Sequence, residues 1–174
     1  MIEIRAMNHA DVPDVYRIET LSFRTPWSRR SLSDEVDNSL AHYLVAISDD
    51  VIAGYCGMWV LFEECHITNI AVDPIFRRKG IGKALLVSAM EVGTLFGATS
   101  MTLEVRETNR IAQEMYRKLG FQPQGFRKRY YQDTGEGAIL LWNTDLNRTI
   151  GNNEVIRLTY HLRQNTFLKE IHQI

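Results

Sequence analysis

The sequence predicts a mixed α/β (α+β) fold in which a mixed central β-sheet has helices on both faces. Three observations support this prediction. Apolar residues alternate with polar ones in several short segments, which is the pattern of half-buried strands. The strongest helical pattern, Gly80–Gly97, lies between two such segments. The 174 residues, of which 45% are hydrophobic, suit a single domain with a substantial interior.

The N-terminal part is predicted to contain one strand, two helices and three further strands. Alternation of apolar and polar residues predicts the first strand over residues 1–7. Apolar residues at helical spacing then predict a helix that Pro26 ends. Ser28 or Ser31 is the candidate N-cap of a second, short helix. The further strand patterns lie at 43–47, 51–62 and 66–72, and the first two form an antiparallel hairpin.

The C-terminal part of the predicted fold alternates helices with strands. The helix over Gly80–Gly97 has apolar residues at three- and four-residue steps, and its last glycine is a typical helix end. The elements that follow are a strand at 101–106, a helix at 109–119, and strands at 126–132 and 138–143. The predicted order is therefore β-α-α-β-β-β-α-β-α-β-β.

Residues 1–146 are predicted to form the whole domain, and residues 147–174 a C-terminal extension of unassigned role. Within this extension, residues 147–153 have the composition of a turn, whereas residues 155–162 fit either a strand or a helix. An oligomerisation element and a disordered end both remain open for the extension.

The composition excludes several classes of protein. The sequence has no apolar run approaching the ~18 residues of a membrane-spanning helix, and residues 1–5 lack the apolar core of a signal peptide. Cys56 and Cys65 are too few for a disulfide framework or a zinc site, and the five histidines show no metal-ligand spacing. We therefore expect a soluble, cytoplasmic protein that uses no metal. Neither cysteine lies in a motif that would carry an acyl group.

The formal net charge of -1 conceals an uneven distribution of charge along the chain. Residues 1–73 contain 12 acidic and 5 basic residues, whereas residues 74–146 contain 7 acidic and 11 basic residues. This asymmetry indicates one anionic and one cationic partner, unless the charges of the two parts mix in the folded domain.

The most informative segment joins a predicted strand to the strongest helix. It places basic residues and two glycines in succession: Arg77, Arg78, Lys79, Gly80, Ile81, Gly82 and Lys83. A helix N-terminus presents unpaired N–H groups, and glycine lets an anion approach the backbone. The segment therefore predicts a pyrophosphate-binding loop, with a basic loop that only starts a helix as the alternative. It lacks the ending of a P-loop and the third glycine of a dinucleotide-binding motif.

This loop and its neighbouring motifs resemble the coenzyme A motif of the GNAT superfamily of N-acetyltransferases. The matching stretches are Asn69-Ile-Ala-Val-Asp-Pro74, Arg77-x-x-Gly80-x-Gly82, Leu103-Glu-Val-Arg106, Asn109 and Met115-Tyr-Arg-Lys-Leu-Gly-Phe121. Within the superfamily, the chain is similar to the RimI-type ribosomal-protein N-α-acetyltransferases through Phe23-x-x-Pro-Trp-Ser28 and the pair Tyr130-Tyr131. The resemblance covers residues 1–146 and implies the acyl-CoA N-acyltransferase fold there.

The resemblance implies acetyl-CoA as the cosubstrate. Its pyrophosphate would lie on residues 77–83. The family places pantetheine and the acetyl carbonyl on backbone N–H groups of one strand, here Ile70, Ala71 and Val72. Periodicity alone would make those three residues ordinary core. Asn109 is the N-cap of its helix, or a contact of the pantetheine arm or the base as the family suggests, and the two roles are compatible.

The resemblance also implies two catalytic residues. Glu104 would be the general base. It lies on a predicted internal strand, where we expect burial to raise its pKa. The alternatives are a surface glutamate and an ion-pair partner of Arg106. Tyr116 would protonate the departing thiolate, whereas a tyrosine at the edge of its helix would only pack.

The resemblance also points to residues on the acceptor side. Phe23 and Trp27 either shape the acceptor groove or staple the first two helices together. Tyr131 either lines the peptide entrance or packs in the core. His66, just before the Asn69 motif, either relays protons or contacts the peptide, or it is a half-buried strand histidine.

The expected activity is acetyl-CoA-dependent acetylation of a protein N-terminus, with a small-subunit ribosomal protein as acceptor, by direct transfer in a ternary complex. A GNAT enzyme for a small amine or lysine is the first alternative, and a non-catalytic coenzyme A-binding module is the second. The run Arg127-Lys-Arg129 beside aromatic residues fits nucleic-acid binding, but the isoelectric point near 6.5 argues against it. Neither direct nucleic-acid binding nor membrane binding is expected.

Overall fold

A computed structural model describes residues 2–153 of the chain. It contains the helices α1 (Val12–Ser22), α2 (Arg29–Asp37), α3 (Ile81–Leu95), α4 (Arg110–Lys118) and α5 (Leu146–Gly151). The strands are β1 (Glu3–Ala6), β2 (Ala41–Ser48), β3 (Val51–Leu61), β4 (Glu64–Val72), β5 (Ser100–Arg106), β6 (Gln122–Tyr131) and β7 (Glu136–Asn143). The predicted order of elements as far as β7 is confirmed.

The strands form one seven-stranded sheet in the order β1-β2-β3-β4-β5-β7-β6. β4 and β5 are parallel, and the other neighbouring strands are antiparallel, so the sheet is mixed as predicted. Helices α3, α4 and α5 contribute to the core on one face, whereas α1 and α2 contribute to a second core on the other face. Both sheet faces therefore bury apolar side chains, as the sequence predicts.

Local capping fixes where the helices on the second face begin. The side chain of Asn8 accepts the Ala10 N–H and completes a capping box with Asp11, one turn before α1. The hydroxyl of Ser28 accepts the Ser31 N–H at 3.0 Å and caps α2, so Ser28 rather than Ser31 is the N-cap. The segment 23–28, which we call the α1–α2 loop, runs from the C-cap of α1 at Phe23 to the N-cap of α2 at Ser28.

The helix α5 corrects the expectation that residues 147–153 form a turn. The side chain of Asp145 caps it by accepting the Arg148 N–H, and its apolar residues Leu146 and Ile150 are buried in the core on the α3 face. Six residues are too few for a clear helical period, which is why the sequence pattern missed it. The expectation for 155–162, and the role of the extension beyond 153, lie outside the described residues.

The edge strand β6 begins at Gln122, four residues earlier than predicted. Most of its side chains are exposed because it pairs only with β7. Its register with β7 slips between Arg127 and Tyr131, and Arg129 has a positive φ of 52°. An edge strand with this exposure has weak apolar periodicity, so its start was not visible in the sequence.

Two irregularities in β4 position the functional site. The pairing of β4 with β5 ends at His66 and Thr102, and the two strands diverge beyond that point. On its other side, β4 has one extra residue, Thr68, because Gly57 pairs with Asn69 and Met58 with Ile67. This is the arrangement of a β-bulge, which re-aims the side chains that follow it.

Within residues 2–153, the structure has no helix long and apolar enough to cross a membrane. The same range holds no group of three or more His, Cys, Asp or Glu side chains that could bind a metal ion.

Candidate active site

The basic, glycine-containing loop lies at the N-terminus of α3, as the sequence predicts. Gly80 is the N-cap residue with φ of 82°, a left-handed conformation that favours glycine. The N–H groups of Ile81, Gly82 and Lys83 are in the first turn, where no intrahelical acceptor exists. These N–H groups and the helix dipole fit an anion such as the pyrophosphate of coenzyme A.

The basic side chains of the loop differ in their surroundings. Arg77, Arg78, Lys79 and Lys83 are all exposed. The Nε–H of Arg77 donates to the carbonyl of Val72 at 3.1 Å, and the Lys79 ammonium lies 4.9 Å from the centre of the Phe76 ring. The side chain of Ile81 is buried in the core, so this residue offers only its backbone to a ligand.

The strand β4 presents part of its backbone to the gap between β4 and β5. Asp73 donates its N–H to Ala53 of β3. Because N–H directions alternate along a strand, the N–H of Ala71 is directed to β3, and those of Ile70 and Val72 are directed to the gap. Of the three predicted backbone donors, the N–H groups of Ile70 and Val72 are therefore available to a thioester. The N–H of Ala71 is directed into the sheet. We call Ile70, Val72 and the first turn of α3 the coenzyme edge.

Glu104 lies on β5 at the gap and forms a pair with His66. Its carboxylate Oε2 accepts a hydrogen bond from His66 Nε2 at 2.8 Å. Its other oxygen lies 3.7 Å from the Arg127 guanidinium, and its side chain is 10% exposed. Glu104 is thus neither a surface glutamate nor the partner of Arg106, whose guanidinium pairs with Asp133 and Glu136 instead.

The expectation that the pKa of Glu104 is raised is wrong. The hydrogen bond from His66 lowers the pKa of this carboxyl and outweighs the opposing effect of burial, and the charges of His66 and Arg127 lower it further. The sequence showed that Glu104 is on an internal strand, but its charged neighbours come from β4 and β6, which sequence periodicity does not align. At neutral pH, Glu104 is therefore an ionised carboxylate.

Tyr116 is buried on α4, facing the core, and its ring packs edge-on against Phe121 at 5.7 Å between ring centres. Burial raises the pKa of its phenol, so the hydroxyl keeps its proton at neutral pH. The sequence left open whether Tyr116 packs in the core or acts as an acid. In the structure its ring packs in the core, and its hydroxyl is protonated. On the same helix, Asn109 is the N-cap, since its side chain accepts the Ala112 N–H at 3.2 Å.

The predicted acceptor-side aromatics are half-buried. Phe23 and Trp27 pack against the second core from the α1–α2 loop, so they staple this loop to the sheet. Tyr131 ends β6, and the Arg106 guanidinium lies 3.9 Å from the centre of its ring. The rings of Tyr130 and Tyr131 contact each other edge to face at 5.1 Å.

The sequence missed three polar residues that face the same side of the sheet as Glu104. Glu19 of α1 is only 1% exposed, Asn69 of β4 is 7% exposed, and Tyr43 of β2 is 5% exposed. The phenol of Tyr43 donates to Asn69 Oδ1 at 3.2 Å and lies 3.0 Å from the hydroxyl of the bulge residue Thr68. A glutamate at an apolar position of the α1 stripe was the available signal for Glu19. We call Glu19, His66, Asn69 and Glu104 the acceptor face.

Both cysteines are buried, and burial raises the pKa of each thiol. A buried thiol with a raised pKa has little thiolate at neutral pH and is a poor nucleophile. This agrees with the expectation that neither Cys56 nor Cys65 carries an acyl group.

The fold and this site define the class of protein. The chain belongs to the GNAT acetyltransferase family, whose sequence model matches residues 12–121.

Three individual proteins are similar to this chain in sequence or in structure. The chain is 44% identical, over 142 residues, to the Bacillus subtilis (strain 168) protein named "Putative ribosomal protein bS18-alanine N-acetyltransferase". The aligned part covers 81% of this chain and 94% of that protein. The crystal structure of the Escherichia coli ribosomal-protein-S18-alanine N-acetyltransferase matches with a TM-score of 0.76 and 30% identity, over 82% of this chain and 92% of that chain. Arabidopsis thaliana NAA60 in complex with acetyl-CoA shares the fold, with a TM-score of 0.75 at 15% identity, over 82% of this chain and 97% of that chain.

Proposed function

We propose that this protein acetylates the N-terminal α-amino group of a protein in the cytoplasm, with ribosomal protein bS18 as the acceptor. The observation that carries the proposal is the His66–Glu104 pair beside the gap between β4 and β5. The similarity to the Bacillus subtilis and Escherichia coli proteins supports the choice of acceptor. The acetyl group is supplied by acetyl-CoA as a thioester.

Binding of the cosubstrate is assigned to the coenzyme edge. The first-turn N–H groups of α3 hold the pyrophosphate, and the exposed basic side chains before Gly80 add charge. The N–H groups of Ile70 and Val72 bind along the pantetheine arm and the acetyl carbonyl. There they stabilise the negative charge that develops on the carbonyl oxygen during attack.

The acceptor amine must lose a proton before it attacks. A free α-amino group has an ordinary pKa of ~8, so most of it is protonated at pH 7. Glu104 accepts this proton, directly or through one water molecule, and His66 holds the carboxylate in place. The side chain of His66 is 40% exposed, so the proton has a route to solvent. The amine nitrogen then forms the new bond to the acetyl carbon.

Tyr116 acts on the departing sulfur. As the C–S bond breaks, the electron pair moves to sulfur, and the neutral phenol donates its O–H to the developing thiolate. A thiol has an ordinary pKa of ~8.5, well below that of this buried phenol, so the phenol keeps its proton and stabilises the thiolate through the hydrogen bond. The sulfur takes its proton from water as the coenzyme leaves, and this balances the proton that Glu104 passes on to solvent. No acyl-enzyme is formed, and transfer occurs in a ternary complex.

The test is an acceptor panel assayed with acetyl-CoA. A peptide beginning with alanine is compared with the same peptide blocked at its N-terminus and containing a free lysine, and with spermidine. Free thiol is measured, and the acetylated atom is located by mass spectrometry. We expect release only with the free N-terminus. Release only with spermidine or lysine would instead assign the first alternative, and acetyl-CoA binding without turnover would assign the second.

A further inference from the structure

Glu19 is a buried carboxylate that the proposed mechanism does not use. It lies in the last turn of α1 and is 1% exposed. Its hydrogen-bond partners are all uncharged: the Trp27 amide, the Tyr55 hydroxyl and the Asn69 side chain. Burial of a carboxylate without a cationic partner disfavours folding, so its presence calls for a role beyond packing.

On one side, Glu19 holds the α1–α2 loop at two points. Its backbone carbonyl accepts the N–H of Phe23 at 3.0 Å, and its side-chain Oε1 accepts the N–H of Trp27 at 2.9 Å. These are the two loop residues for which the sequence leaves two roles open, shaping the acceptor groove or stapling the first two helices together. The segment between them has no helix or strand of its own, so these bonds define the path of its backbone.

On the other side, Glu19 is bonded to the sheet. Its second oxygen, Oε2, accepts the hydroxyl of Tyr55 on β3, and the Asn69 amide donates to the carboxylate from β4. Asn69 in turn accepts the hydroxyl of Tyr43, which also contacts Thr68 in the bulge. Asn69 directly precedes Ile70, one of the two backbone donors of the coenzyme edge.

We propose that Glu19 is a positioning residue: its carboxylate ties the α1–α2 loop at Trp27 to Asn69 on β4 and so sets the acceptor groove at a fixed distance from the acetyl group. This inference rests on the proposed function, because it takes the loop as one wall of the acceptor site. Displacement of reacting groups by about 1 Å can reduce a rate by about 10²-fold, so such a tie has a kinetic consequence.

The variant that tests this role is Glu19→Gln, which keeps the size of the side chain. The oxygen of the glutamine still accepts the Trp27 N–H. Its NH₂ group, which can only donate, then faces the Tyr55 hydroxyl and the Asn69 amide, which donate to the carboxylate in the wild type. The matched control is Asp11→Asn. Asp11 is also a buried carboxylate, 5% exposed, but it pairs with Arg5 and the Asn8 amide at the opposite end of α1.

The kinetic arm measures kcat/KM for the acceptor and the KM of acetyl-CoA for each variant, after a thermal melt has shown that each is folded. We expect Glu19→Gln to lower kcat/KM for the acceptor about tenfold, because the acceptor is displaced from the acetyl group, while the KM of acetyl-CoA changes less than about twofold. Asp11→Asn should leave both unchanged. Equal values of acceptor kcat/KM for wild type and Glu19→Gln, or an equal fall in Asp11→Asn, would overturn the proposal.

A second arm needs no activity. The amide resonance of Trp27 is followed by NMR against pH in the wild type and in Glu19→Gln. Burial raises the pKa of Glu19 to about 7, and the phenols of Tyr43 and Tyr55 face it from β2 and β3. We expect the Trp27 amide to shift with a midpoint near this pH in the wild type only. A Trp27 amide insensitive to both pH and the substitution overturns the tie.

The two arms separate the failure of this inference from failure of the proposed function. If the wild type acetylates spermidine or lysine instead of a peptide, the proposed function fails, and the same variants are then measured with that amine. The Trp27 resonance still reports whether Glu19 holds the loop.

Discussion

The coenzyme edge and the acceptor face lie on either side of the same two strands but are built from different groups. The coenzyme edge offers backbone N–H groups from Ile70, Val72 and the first turn of α3. The side chains of Ile70 and Val72 are half-buried against the core, and that of Ile81 is buried in it. The acceptor face consists of half-buried or buried polar side chains that hydrogen-bond to one another.

This difference predicts unequal tolerance to substitution. Backbone donors are present whatever the side chain, so recognition at the coenzyme edge depends on local conformation. At the acceptor face, each carboxylate depends on donors from distant parts of the chain, and removal of one leaves buried partners unsatisfied. Five substitutions, ordered by expected effect, test this comparison.

The largest effect is expected for Glu104→Gln. An amide cannot accept the amine proton, so we expect kcat to fall by about 10²–10⁴-fold, with acetyl-CoA affinity unchanged. Calorimetric titration with acetyl-CoA and a thiol-release assay measure the two quantities. Glu107→Gln is the control, since the side chain of this exposed neighbour accepts the Gly137 N–H on β7, whereas that of Glu104 accepts from His66. A Glu104→Gln enzyme with normal turnover would remove Glu104 from the mechanism.

Tyr116→Phe should lower kcat by about 10²-fold, because the ring is kept and only the O–H that stabilises the departing sulfur is lost. The measurement is kcat with acetyl-CoA and with an acetyl thioester whose thiol has a lower pKa. The activated thioester needs less help and should recover most of the lost rate. Equal loss with both thioesters would leave Tyr116 as a packing residue.

His66→Ala tests whether the hydrogen bond from His66 lowers the pKa of Glu104. Because the His66 hydrogen bond is the main cause of the lowered pKa of Glu104, its removal should raise that pKa. The acid limb of kcat against pH then moves to higher pH. Glu104 stays ionised at neutral pH, and kcat falls there by about tenfold because the carboxylate loses the hydrogen bond that positions it. His42→Ala is the control, because it removes a histidine ring of β2 that contacts Phe96. An unmoved acid limb contradicts the pairing.

Glu19 should make stability depend on pH. Its pKa is raised from an unfolded value of 4.5 to about 7 in the fold, so the folded state binds the proton more tightly. The corresponding stability is complete below the unfolded pKa and is lost as pH rises through 7. Relative to Glu19→Gln, the wild type should lose about 2–3 kcal/mol of unfolding free energy between pH 5 and 8. Urea unfolding of both proteins measures this, and parallel pH curves would contradict it.

The smallest effect is expected at the coenzyme edge, for Gly80→Ala. A Cβ there meets nothing within 4 Å, so the cost comes only from the left-handed φ of 82°. It is about 1 kcal/mol. We expect the loop of the variant to relax away from this φ when free and to return to it on binding, which raises the KM of acetyl-CoA by about fivefold without changing the acceptor KM. Gly97→Ala is a matched control, with φ of 93° and equal open space at the other end of α3. Equal effects of both substitutions would mean general destabilisation.

The coenzyme edge could largely be predicted from the sequence. Its strand, glycine loop and helix are consecutive in the chain, and their local periodicity and N-cap glycine set the conformation. Even there, the sequence did not show that Ala71 is directed into the sheet, since that depends on the pairing of β3 with β4.

The acceptor face could be predicted only in part. Glu104 was found by family resemblance, but the direction of its pKa shift was wrong because His66 is 38 residues away in the chain. The role inferred for Glu19 depends on Tyr55, 36 residues away, and on Asn69, farther still.

The sequence alone thus determined the order of elements, the mixed sheet and the anion-binding loop, because each follows from residues close together in the chain. Only the tertiary structure decided the charge state of Glu104, the burial of Glu19 and the addition of α5 to the core. Electrostatic shifts and hydrogen-bond networks arise between side chains that folding brings within a few ångströms, and their separation in the chain carries no information about that proximity.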